Sequence, residues 1–123
     1  MNYEDLEIWK IADELVIKIH EMTIKELPKF ELFETGSQIR RSIKSVKSNI
    51  VEGFGRRCYK RDFIHFLIIA LASNDETLDH LNTLYNCKSL TNIVMYLELK
   101  QKLIHLGKKL NKFISSVRNN HKT

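Results

Sequence analysis

Seven cationic side chains near the middle of the sequence carry its clearest chemistry: Arg40, Lys44, Lys47, Arg56, Arg57, Lys60 and Arg61. The first three recur at spacings of four and three, which places them on one face of a helix. The other four crowd around and after Gly53-Phe54-Gly55. Such a cluster suits phosphate oxygens, with binding driven by counterion release and little reading of sequence. Phe54 and Tyr59 are the aromatic residues inside the patch, so stacking platforms are sparse. Lys60 and Arg61 fall at the expected start of a helix, where positive charge opposes the helix dipole. A local rule broken without structural gain points toward function. The same charges also admit a plainer reading, as a solvated face or as partners of Glu52, Asp62 or a neighbouring subunit's acids.

Other chemistries find little support. His20, His65, His80, His105 and His121 form no HExxH pattern. A di-iron bundle needs Glu-x-x-His on two helices, whereas Glu76 is followed three residues later by Asp79, with His80 one place too far. No serine or cysteine is paired with a base in a local motif. Gly53-x-Gly55 lacks the further glycine or lysine of a phosphate loop and reads as a turn. Cys58 and Cys87 lie at opposite ends of one expected helix, roughly 40 Å apart at about 1.5 Å per residue. A disulfide needs Cα atoms within roughly 7 Å, so no internal bridge is expected. The expectation is a protein without catalytic, cofactor or metal site.

The elements that must position the basic cluster follow from composition. The chain has 123 residues, enough for one domain with its own core. With 43% hydrophobic and 28% charged residues, it is too apolar for disorder. One proline and four glycines leave few interruptions, favouring long helices over many short strands. The longest apolar run, Phe66 to Ala72, is seven residues, far below the roughly 18 of a membrane span. The acidic, amphipathic start MNYEDLEIWK is unlike a secretory leader, so a cytoplasmic protein is expected. The net charge of +5 is distributed in blocks: residues 1–39 hold four basic and nine acidic side chains, and residues 40–61 hold eight and one. Residues 62–99 hold one and five, and residues 100–123 hold seven and none.

Hydrophobic spacing predicts four helices, at about 5–25, 34–54, 59–86 and 92–117, with 118–123 as a frayed basic tail. Ile8, Ala12, Leu15, Ile19 and Met22 form the first seam, widened by Trp9 and Val16. Pro28 ends that helix, and Phe30, Leu32 and Phe33 of the connector are expected to cover the end of the core. Ile39, Ile43, Val46 and Ile50 form the second seam, which Gly53 and Gly55 should end in a left-handed conformation. The third carries Phe63, Phe66, Leu67, Ala70, Leu71, Leu78, Leu81 and Tyr85, interrupted by Ser73 and Asn74, which read as register-fixing polar residues. Thr91 or Asn92 should cap the fourth, whose seam runs Tyr96, Leu99, Leu103, Leu106, Leu110, Phe113 and Val117. Short connectors imply an all-α, antiparallel up-down-up-down four-helix bundle. That topology brings Arg56, Arg57, Lys60 and Arg61 to the same end as Arg118 and Lys122.

These residues resemble a known family, the bacterial four-helix-bundle proteins encoded in intervening sequences of 23S ribosomal RNA genes. The likeness runs through Tyr3, Asp5, Leu6, Trp9 and Ala12, then Ser37-Gln38-Ile39-Arg40-Arg41 and Ser48-Asn49-Ile50. It continues through Glu52-Gly53-Phe54-Gly55-Arg56-Arg57, Phe63, Phe66, Leu67, Ile69-Ala70-Leu71, Ser73 and Glu76. Lys47 stands where the family commonly has proline, Cys58 where it has serine, Ala72 where it has a smaller residue and Leu78 where a second glutamate is usual. The resemblance implies a homopentameric ring. It also implies kinship with the accessory protein of diversity-generating retroelements, a basic pentamer associated with nucleic acid and a reverse transcriptase. For the ribosomal-insert branch itself it implies no settled biochemical activity.

Two readings result. In one, a non-enzymatic oligomer binds RNA or DNA through Arg40, Lys44, Lys47, Arg56, Arg57, Lys60 and Arg61, with RNA favoured by the family's genomic setting. In the other, the chain is a scaffold whose basic residues, Arg40 and Arg41 among them, bridge subunits.

Overall fold

The computed structural model describes residues 1–121. Among them are four α-helices and no strand: α1 (Glu7–Lys25), α2 (Thr35–Gly55), α3 (Lys60–Asn86) and α4 (Ile93–Asn120). Short 3-10 turns at Tyr3–Asp5 and Lys29–Phe33 precede α1 and α2. No helix among the described residues is long and apolar enough to cross a membrane. α4 continues to Asn120, so Arg118, Asn119 and Asn120 are helical where the sequence predicted fraying. Lys122 lies outside the described residues.

The seams predicted from spacing form most of the core, but Phe66, Leu71, Leu78 and Tyr85 of α3 and Phe113 of α4 are only half-buried. Leu15, Ile19, Ile39, Ile43, Ile50, Leu67, Leu81, Leu103 and Leu106 are all fully buried, and Leu84 and Ile114 join them. Ion pairs along α1 and α4 run in opposite numerical order: Glu7 with Lys109, Glu14 with Lys102, and Lys18 with Glu98 at 2.8 Å. The polar pairs of α2 and α3 do the same, with Ser42 meeting Thr77 at 2.8 Å and Ser45 meeting Ser73 at 2.9 Å. The interruption at Ser73 and Asn74 is thus a set of cross-links. The Asn74 amide also donates to the Leu103 carbonyl of α4 at 2.9 Å. Buried polar groups that bond at one register only oppose sliding of the helices.

Two local expectations are corrected. Gly53 and Gly55 stay in helical geometry, and no glycine among the described residues has a positive φ. Gly53 instead marks a close approach: a Cβ there would lie 3.2 Å from Phe66 Cβ and 3.3 Å from the Phe63 carbonyl oxygen. The left-handed residue is Lys88, at φ 65°, after the last residues of α3. Second, Phe30 and Phe33 do not cover the core; they are 60% and 85% exposed. A 3-10 turn repeats every three residues, so Phe30 and Phe33 share one side. That side faces outward because Glu31 is drawn inward, where its carboxylate accepts from the Ser89 hydroxyl at 2.6 Å and the Thr35 N–H at 3.2 Å. Leu27 and Leu90 are buried with it. The N-cap of α3 is Tyr59, whose side chain makes no capping bond. α4 is capped as expected, the Asn92 side chain accepting from Met95 N–H. Cys58 and Cys87 are exposed and are not bridged to each other.

Candidate nucleic-acid interface

The seven cations predicted as a patch separate into two groups once their partners are considered. Arg40 and Lys47 lie on the flank of α2 that meets α1. The Arg40 guanidinium donates to Thr23 Oγ1 at 2.9 Å and to the Leu32 carbonyl at 2.7 Å, tying α2 to α1 and the first connector. Lys47 pairs with Asp13 at 2.7 Å and lies over the Trp9 ring. Lys44, between them in sequence, is exposed and has no partner among the described residues. The face predicted from spacing is real, but two of its three charges hold the bundle together.

The turn between α2 and α3 is similarly divided. Arg56 pairs with Glu52 at 2.8 Å and Asp62 at 3.7 Å and covers the Phe66 ring. The hydrogen bond to Glu52, then the attraction of the two opposite charges, raises the Arg56 pKa above its ordinary value. These are the intramolecular partners that the plainer sequence reading named. Arg57 donates to the Phe54 carbonyl at 2.9 Å, satisfying an exposed helix end, and its guanidinium lies 4.1 Å from the Phe54 ring centre. Lys60 and Arg61, in the first turn of α3, have no partner among the described residues. Tyr59 beside them is 70% exposed.

The predicted meeting of this turn with the end of α4 is present: the His121 ring is hydrogen-bonded to the Arg57 carbonyl. Sequence reasoning left Arg41 out of the nucleic-acid set. It is exposed, unpartnered among the described residues, and lines a cleft of about 290 Å³ between α2 and α3 with Gln38, Ser45, Glu76 and His80. Its signal was its spacing of three from Lys44, which the neighbouring Arg40 obscured. Among the described residues no group of His, Cys, Asp and Glu could hold a metal ion.

Comparison with family profiles gives a match over residues 4–112, described as 23S rRNA-intervening sequence protein. The chain belongs to the 23S rRNA-intervening sequence protein family. Among solved structures, it is similar to a protein of unknown function from the S23 ribosomal protein family of Bacteroides thetaiotaomicron VPI-5482, solved at 1.70 Å resolution. The two share 24% identity over 88% of this chain and 95% of the other, with a TM-score of 0.76, a likeness of fold. Comparison with curated proteins gives no match. In this member of the 23S rRNA-intervening sequence family, the departure at Lys47 is informative. A proline there would supply neither the Asp13 ion pair nor the cation over Trp9.

Proposed function

We propose that this chain is a non-enzymatic nucleic-acid-binding protein, RNA being favoured by its family, which engages phosphates as a homo-oligomer. The carrying observation is that Lys60 and Arg61 stand unpaired at a helix start, while the neighbouring Arg56 and Arg57 are engaged within the chain. Positive charge in the first turn of α3 works against the helix dipole, so its placement there has no stabilising rationale within the bundle. The reversed order of contacts along each neighbouring helix pair supports an antiparallel up-down-up-down arrangement. That arrangement gathers the α2–α3 turn and the end of α4 at one pole. A pentamer in the cytoplasm would present five such poles, and weak phosphate contacts would add through multivalency. A reverse-transcriptase-type partner belongs to the same reading.

The test is a salt titration of binding to single-stranded RNA and DNA. Binding should weaken steeply with salt, and Lys60→Glu with Arg61→Glu should abolish it. Each removed phosphate contact should reduce the slope of log K against log salt by about one. Absence of binding at low salt overturns the proposal.

The scaffold reading draws on a different observation. Ile68 of α3 and Ile93, Leu97 and Ile104 of α4 are each 40% or more exposed, and Arg41 sits beside Glu76 in a polar cleft. If Arg41→Glu dissociates the oligomer while nucleic-acid binding is absent, this second reading replaces the first.

A further inference from the structure

The four helices stand in a square. α1 packs on α2 and α4, α3 packs on the same two, and neither diagonal pair meets among the described residues. The α1–α2 side and the α3–α4 side are therefore opposite outer faces, and both expose large aliphatic side chains. On α1, Ile17 and Ile24 are 52% and 54% exposed. Ile17 lies one turn after Asp13, which meets Lys47 of α2, so this row looks out on the α1–α2 side. Lys44 and the half-buried Val51 flank Lys47 at spacings of three and four and extend the face onto α2. On α4, the exposed Ile93, Leu97 and Ile104 recur at helical spacing around Lys100, which adjoins the Tyr96 hydroxyl and through it Asn82 of α3. Ile68, Asp75 and Asp79 continue this second face on α3, in the row that leads to Asn82.

We propose that these two faces meet one another between successive copies of the chain, set side by side in the same orientation. The inference rests on the homo-oligomer common to both readings above and names its contact surfaces. The levels of the residues carry it. Within one chain Lys18 pairs with Glu98 and Glu14 with Lys102, which sets Ile17 level with Leu99 and Ile24 level with Asn92. A second copy at the same height thus lays its Ile17 between Ile104 and Leu97, and its Ile24 beside Ile93. Ser45 meets Ser73 within one chain, which sets Lys44 level with Asn74 and Val51 level with Leu67. Lys44 of the second copy then falls one residue, about 1.5 Å, from the level of Asp75, and Val51 as close to that of Ile68. Lys44, Asp75 and Asp79 have no partner among the described residues. Aliphatic groups therefore meet aliphatic groups, and an unpaired cation meets unpaired acids. Lys10 and Lys108 also come near one level at the rim, where both long side chains reach water. The cation and the acids belong to different faces, so the match needs two unlike surfaces, the heterologous contact that builds rings or filaments.

The test uses the full chain and two face variants, Ile17→Glu with Ile24→Glu and Leu97→Glu with Ile104→Glu. Assembly mass is measured by analytical ultracentrifugation and folding by circular dichroism. The parent should assemble, and each face variant alone should be a monomer. An equimolar mixture of the two variants should form a pair of twice the monomer mass, because each keeps the face the other needs. A charge exchange provides an independent arm. Lys44→Asp should raise the concentration of half-dissociation on the order of tenfold, and adding Asp75→Lys to the same chain should restore it. A monomeric parent overturns this inference together with the homo-oligomer of both readings. If the parent assembles, the inference alone is overturned when either face variant stays assembled, or when the two fall apart and do not pair on mixing. Should a face variant fail to fold, the charge exchange decides, and absence of rescue by Asp75→Lys overturns the inference.

Discussion

Lys47 holds its ammonium 2.7 Å from the Asp13 carboxylate and 5.3 Å from the centre of the Trp9 ring, so a cation of α2 is committed to α1. Both side chains of the ion pair are one-third exposed, and solvent limits its worth to about 1 kcal/mol or less. Lys47→Met should therefore lower stability by no more than about 1 kcal/mol in a urea titration. It should leave the salt slope of nucleic-acid binding unchanged. Arg40→Ala should cost more, about 2 kcal/mol, because it removes two charged hydrogen bonds from a part-buried site. A fall in the salt slope with Lys47→Met would return that residue to the phosphate-binding set.

The contrast between these residues and Lys60 or Arg61 shows what the sequence could convey. Spacing placed Arg40, Lys44 and Lys47 on one face correctly, because helical periodicity is a local property. It could not reveal that Asp13, 34 residues away from Lys47, would occupy the same space. The core seams were legible because apolar repeats of three and four leave one burial pattern per helix. Glu31 was not, since a buried carboxylate satisfied by Ser89, 58 residues further on, has no local signature. The glycine pair was misread for a related reason. Glycine serves a left-handed end and a close helix contact equally well, and only the position of Phe66 decides between them.

Gly53 and Gly55 should respond oppositely to alanine. At Gly53 an added methyl would press within 3.2 Å of Phe66 Cβ and 3.3 Å of the Phe63 carbonyl, both fixed to the α3 backbone. Overpacking of that kind costs about 1–3 kcal/mol, against a gain in helix propensity of about 1 kcal/mol. Gly53→Ala should thus be neutral to destabilising by about 2 kcal/mol. Gly55 has open space around its missing Cβ, and its backbone is already helical. Gly55→Ala should stabilise by about 0.5–1 kcal/mol, read as a higher urea midpoint at unchanged slope. A rise in midpoint for both variants would show that α2 and α3 separate readily at this contact.

Lys88 should tolerate glycine better than lysine. Its φ of 65° is left-handed, a conformation that costs a residue with a Cβ about 1 kcal/mol. The geometry is held by the Lys88 N–H on the Tyr85 carbonyl and the Leu90 N–H on the Leu84 carbonyl, at 3.1 and 3.0 Å. Lys88→Gly removes the steric cost but adds freedom to the unfolded chain, leaving a net gain of about 0.5 kcal/mol. Lys88→Val, whose branched Cβ fits that region worst, should lower stability by about 1 kcal/mol or more. Thermal unfolding of the two variants beside the parent would separate these effects. A stabilising valine would contradict the left-handed assignment.

Acid should weaken the junction of α1 and α4 through a defined set of groups. Glu14 is held below its ordinary pKa first by its hydrogen bond from Lys102, and Glu98 by its hydrogen bond from Lys18. Lys18 is raised in turn, chiefly by Glu98. A carboxylate whose folded pKa lies below its unfolded value stabilises the fold above the unfolded value, about 4.3 for glutamate. That contribution is lost as pH falls through the lower folded pKa. Lys18 behaves in the opposite sense: its contribution is complete below its unfolded pKa, about 10.4, and is lost as pH rises through the higher folded value. Stability should therefore be level across neutral pH and decline below about pH 4.3. Glu14→Gln with Glu98→Gln should flatten that acid decline, and salt should reduce the difference from the parent because the network is exposed. Urea midpoints at neutral pH and at about pH 3.5, on the acid side of the ordinary glutamate value, provide the comparison. An acid decline of the same size in the double variant would place the pH sensitivity in other carboxylates.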